Sequence, residues 1–183
     1  MSKKLFFSFA ITLPIIILMG LLYTPLMTYV LGDEIVLKTV PLDPRDPFRG
    51  DYVRLNFEIN QINSSLIDKS VFENAEKNNR KRSIRVYVWL DTISGVDEVV
   101  RVSLDKPENN RFLSGQISTY FLTDNYYRVD QEKIQVKYSL DRYFVPENTG
   151  TELEDLARSG DLYVKVKVYH GYPVIIETLT KTP

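Results

Sequence analysis

Six ionisable residues of mixed sign crowd into the stretch DPRDPFRGDYVRL: Asp43, Arg45, Asp46, Arg49, Asp51 and Arg54. Carboxylates set among guanidiniums can do two kinds of chemistry. Paired, they fix a loop through charge-assisted, often bidentate bonds, and an arginine left over presents a fork to an anion. Unpaired, two carboxylates whose environments separate their pKa values can act as acid and base. A further carboxylate, Glu147, rides on the proline turn of RYFVPENTG, and closure of a barrel would bring it towards Arg45 and Arg49. The candidate binding set is therefore Asp43, Arg45, Asp46, Arg49, Gly50, Asp51, Tyr52, Arg54 and Glu147. Asp46, Asp51 and Glu147 form the alternative set, that of a carboxylate-dependent cell-envelope hydrolase.

Composition removes most other chemistries. The chain has no cysteine and one histidine, His170, so thiol catalysis, a cysteine-ligated metal and a histidine-rich zinc site are excluded. No nucleophile–base pair stands out, and neither a cofactor nor a metal is expected. His170 falls with Gly171 in a two-residue turn, a position that reads as exposed and inert. Net charge is −1, which gives no electrostatic case for nucleic acid.

Backbone chemistry explains much of the 43–55 stretch without a ligand. Pro44 and Pro47 fix φ and push Asp43 and Asp46 into extended conformations. Gly50 is expected at positive φ, with Asp51 capping the tight turn before Tyr52 opens a strand. The stretch reads as an architectural clamp whose outer surface forms part of a binding site.

The elements that must carry this loop are an anchor and a β domain. After MSKK no charged residue occurs from Leu5 to Gly32. A bilayer core of about 30 Å needs roughly 20 apolar helical residues, so residues 1–32 read as a cytoplasmic tip and a single transmembrane anchor, kinked or ended early by Pro14 and Pro25. A cleaved signal peptide would be shorter and would end in small residues. Lys3 and Lys4 place the N-terminus in the cytoplasm and residues 33–183 outside it. With those two lysines set aside the remainder is net acidic, and its cations form no run suited to anionic lipid.

Six later stretches alternate with period two: 34–40, 52–59, 83–90, 98–104, 133–140 and the hairpin 163–179. They predict a mainly β fold, an antiparallel barrel-like or sandwich domain with one wet and one dry face. One short helix is expected at TELEDLARSG, capped by Thr151 and Glu154. Residues 63–82 read as an exposed polar insertion with a short helix near Val71–Lys77, and 109–127 are ambiguous between strand and loop.

GDYVRLNF resembles the signature of the GDYXXLXY family of bacterial membrane-anchored proteins. Gly50, Asp51, Tyr52 and Leu55 match; Phe57 replaces the final tyrosine, keeping the ring and losing the hydroxyl. VPLDPRDPFR, DRYFVPENTG and the closing hairpin also look like the family, so the resemblance covers most of residues 35 to 180. It implies location, fold and a multi-pass membrane protein as partner, and no reaction. A membrane signal peptidase would also join an anchor to a β domain, but no Ser-Met follows the anchor here. The expected function is thus a non-enzymatic binding or accessory domain on the extracytoplasmic side of the cytoplasmic membrane.

Overall fold

The computed structural model describes residues 3–40, 52–78, 82–109, 111–123, 132–140, 142–144 and 162–179. Helix α1, Lys3–Leu31, runs through Pro14 and Pro25, so neither proline ends it. Its apolar part, Phe9–Leu31, is 23 residues long with mean hydropathy 2.1, and residues 9–24 are all exposed. At 1.5 Å per residue it spans about 35 Å, enough to cross a bilayer.

Among the described residues ten strands follow: β1 (Asp33–Lys38), β2 (Tyr52–Arg54), β3 (Gln61–Asn63), β4 (Ser83–Ile93), β5 (Val96–Ser103), β6 (Phe112–Ser118), β7 (Lys133–Lys137), β8 (Arg142–Phe144), β9 (Tyr163–Tyr169) and β10 (Tyr172–Leu179). They form antiparallel sheets in the orders β1-β9-β10, β2-β8 and β3-β7-β6-β4-β5. The alternation read from the sequence is the alternation of burial. Ile35 and Leu37 of β1, Ile84, Val86 and Val88 of β4, Ile134 and Val136 of β7, and Val164, Val166 and Val168 of β9 all point into one core. Each such side chain contributes about 1.5–3 kcal/mol on burial.

Cross-links between the sheets bend them into a nearly closed, barrel-like whole. Thr39, just past β1, pairs with Phe57, and its amide and hydroxyl both donate to the Leu162 carbonyl, at 3.0 and 2.8 Å. The Val36 amide donates to Asp97 on β5 at 2.8 Å. The Ser114 amide on β6 donates to the Gly171 carbonyl in the β9–β10 turn at 2.9 Å.

Three expectations are corrected. The 52–59 stretch is not one strand: β2 stops at Arg54 and a 3-10 turn occupies Glu58–Asn60. The Asn60 carboxamide accepts the Phe57 amide at 2.9 Å and its NH2 donates to the Val136 carbonyl, which stabilises the turn against a continued ladder. Within 63–82, the helix expected near Val71–Lys77 is α2, Lys69–Lys77, but the segment is not merely an exposed insertion. Ile67 lies in the core, and so do Val71 and Ala75, because α2 is amphipathic and turns its apolar stripe inward. The ambiguous stretch holds β6, a central strand, and the single turn α3 (Tyr120–Thr123). The helix expected at 151–160 lies outside the described residues.

Candidate binding face

Of the nine residues proposed from the sequence, Tyr52 and Arg54 fall within described strands. Asp43, Arg45, Asp46, Arg49, Gly50, Asp51 and Glu147 lie outside the described residues, as do the expected positive φ at Gly50 and the Asp51 cap. The backbone does bring the two motif segments together. β2 pairs with β8 in the register Tyr52–Phe144, Val53–Tyr143 and Arg54–Arg142. The GDY strand and the RYF strand, remote in sequence, are therefore neighbours in one ladder. The hydrolase alternative rests on Asp46, Asp51 and Glu147, and no described contact favours it.

Among the described residues one carboxylate is buried, and no motif singles it out. Asp97 is 3% exposed. Its Oδ2 accepts the Val36 amide, and its Oδ1 accepts the Thr92 hydroxyl at 2.9 Å and lies 3.4 Å from the Arg111 guanidinium. A carboxylate so fully engaged staples β5 to β1, and its lone pairs are spent on that role. Its only sequence signal was a place in the turn-prone TISGVD. Beside it runs a groove of about 180 Å³, lined by Lys38, Glu58, Gln61 and Lys133 over an apolar floor. That volume is below the roughly 300 Å³ at which small-molecule pockets begin. No cluster of three or more acidic, histidine or cysteine side chains suited to a metal occurs among the described residues.

The outer face of β4 and β5 is occupied by its own residues. The Arg101 guanidinium lies 5.4 Å from the Trp89 ring centroid and binds Asp68 in a fork, at 3.0 Å through Nε and 2.7 Å through Nη2. The hydrogen bond and charge of Asp68 raise the Arg101 pKa above its ordinary value. The Trp89 indole donates to Ser103, and Tyr87 meets Phe112 edge to face at 5.7 Å. Tyr87 and Trp89 are thus engaged within the fold.

A larger cleft, about 430 Å³, opens between β6, β7 and the β9–β10 turn. Strand register builds its floor: Arg85, Gln116 and Lys137 stand side by side on β4, β6 and β7, all exposed on the outer face. The turn forms its wall. His170 and Gly171 have φ of 50° and 80°, the two successive positive values of a type I′ hairpin. An added Cβ on Gly171 would strike the Phe112 ring and the Ser114 hydroxyl, so the turn is seated tightly against β6. His170 is exposed, as expected, but it lines the cleft, with Lys106 Nζ 3.5 Å from its Nδ1. Arg85, Lys137 and His170 line the cleft with Ser114, Ser139 and Tyr172, and among the described residues none that lines it is acidic.

This cleft lies at the α1 end of the domain. Gly32 alone separates α1 from β1. Asp33 pairs with Val168, two residues before the His170 turn. The Gly32 amide closes the last turn of α1 onto the Thr28 carbonyl at 2.9 Å, and Thr28 is fully buried. Lys167 reaches back from β9, its ammonium 2.9 Å from the Tyr29 carbonyl and 5.4 Å from the Tyr29 ring centroid. A cation there also complements the negative end of the helix dipole. A Cβ on Gly32 would strike the Thr28 carbonyl and come within 3.1 Å of Lys167 Cβ. Of α1, Pro25, Met27 and Thr28 are shielded while residues 9–24 are exposed, so the helix meets the domain by its last two turns and then projects away.

A family model described as GDYXXLXY protein matches residues 14–178, from within α1 to the end of β10. No curated protein and no solved structure matches the chain.

Proposed function

The chain belongs to the GDYXXLXY protein family, and from that premise we propose that it is a membrane-anchored extracytoplasmic binding domain, accessory to a multi-pass membrane protein, with no catalytic step of its own. The observation that carries this reading is the junction. A flexible tether would let the β domain sample the space above a membrane. Here one residue joins α1 to β1, and Thr28, Tyr29, Gly32 and Lys167 lock the helix end to the hairpin. Such a domain is held at one height and in one orientation, which reduces the ordering cost of lateral contact with a membrane-embedded partner. The exposed apolar flank of α1 then provides a surface for helix–helix packing within the bilayer.

Photo-crosslinking in native membranes tests the reading. A photoreactive residue at Leu22, in the span, and one at Glu58, at the far end of β1, are compared. A single discrete protein adduct with an integral membrane protein is expected from Leu22. Absence of any protein adduct from both sites would overturn the proposal.

A further inference from the structure

The cleft beside the His170 turn has the chemistry of an anion site and the position of a lipid site. We propose that it binds the phosphate of an anionic lipid headgroup. The inference deepens the reading above, since it rests on α1 crossing a bilayer. Arg85 and Lys137 flank Gln116 on adjacent strands, so their Cα atoms are roughly 10 Å apart. Their long side chains can converge on one phosphate from that separation. Among the described residues neither has an acidic partner within ion-pair distance. Gln116 adds an amide donor between them, and Ser114, Ser139 and Tyr172 add hydroxyls at the walls. Lys106, beside His170, adds a further positive charge at the rim.

Position selects the source of the phosphate. β1 leaves the anchor at Asp33, and β9 returns antiparallel to it, so the His170–Gly171 turn lies about two residues, roughly 7 Å, beyond the level at which the chain leaves α1. That is the depth of the headgroup layer. Tyr29 and Tyr172, both exposed, stand near this level as interfacial tyrosines do. Lys167 extends the basic rim to the helix itself. The sequence shows no basic run because these residues are scattered from position 85 to position 170; the fold collects them at one end of an otherwise acidic chain.

The test uses the full chain in detergent micelles doped with equal phosphatidylglycerol and phosphatidylcholine, read by native mass spectrometry. Lipid that packs unspecifically around α1 is common to all variants and is subtracted by comparing them. The wild-type chain is expected to retain phosphatidylglycerol over phosphatidylcholine. The Arg85→Gln, Lys137→Gln double variant is expected to lose about thirty-fold in that preference, each basic side chain at a charged surface contributing about a factor of five. Lys133→Gln, a neutralisation on the same sheet outside this cleft, is expected to leave the preference intact, and thermal melting verifies that all three chains are folded. Equal retention of both lipids by the wild type, or no change in the double variant, would overturn the proposal. So would displacement of the lipid by excess inorganic phosphate, which would make free phosphate the ligand. Partner crosslinking from Leu22 is read separately, so loss of lipid preference with crosslinking retained would refute this site alone.

Discussion

At the scale of single residues, Tyr138 shows what the alternating pattern conceals. The sequence places it on the dry face of β7, and it is indeed buried, but its hydroxyl donates to the Ile59 carbonyl at 3.0 Å. Burial pushes its pKa well above the ordinary tyrosine value. The unfolded chain releases this proton near pH 10 and the folded chain keeps it. Stability is thus indifferent to this group below pH 10, and above it falls by about 1.4 kcal/mol per pH unit. Tyr138→Phe is expected to cost about 1–3 kcal/mol at neutral pH, because the Ile59 carbonyl loses its buried donor. The gap to the wild type should narrow above pH 10, as measured by denaturant melts across pH; a gap that is constant with pH would contradict this account. The turn residue His170 was legible from its His-Gly dipeptide. Its role in a cleft was not, because that depends on which strand the hairpin abuts, and no local signal carries that.

At the scale of elements, strands with clean alternation were readable and β6 was not. Its sequence FLSGQIS has a glycine at the centre of a buried strand, which reads as a break. The structure gives the reason: an added Cβ on Gly115 would come within 2.6 Å of Val136 Cγ1 and 3.2 Å of the Tyr138 ring on the adjacent strand. Gly115→Ala should therefore overpack the core and destabilise by about 1–3 kcal/mol, seen as a lowered melting midpoint. An unchanged midpoint would mean that β6 and β7 are not in this register. α2 was placed correctly by its composition and misread in its exposure: a 63–82 average is polar, while Val71 and Ala75, four apart on one helical face, are in the core. The β2–β8 pairing joins two motif segments that no local pattern connects, and only the return of the chain along the barrel does so.

At the scale of the whole molecule, the long apolar helix and the β class were legible because both are periodic or compositional. The relation between them was not. It is carried by Gly32 and by the Lys167–Tyr29 contact across β9, and neither is a sequence motif. The lysine pair at the start of α1 predicts that the β domain is outside the cytoplasm. Protease added to intact spheroplasts should digest the domain and spare a cytosolic control; complete protection would reverse the topology.

The central claim is that this domain is held with its His170 end against the bilayer. The absence of native cysteines makes single-site spin labelling direct. The full chain in nanodiscs would carry a label at Tyr172→Cys, in the cleft wall, or at Glu58→Cys, beside Lys38 at the far end of β1. Tyr172 pairs with Tyr169 and Lys38 with Tyr163, so six residues of β9 separate the two levels, about 20 Å at 3.3 Å per residue. With a paramagnetic metal chelated to lipid headgroups, the Tyr172 label should relax strongly and the Glu58 label weakly. Equal relaxation at the two sites, or stronger relaxation at Glu58, would show that the domain is not held in this orientation.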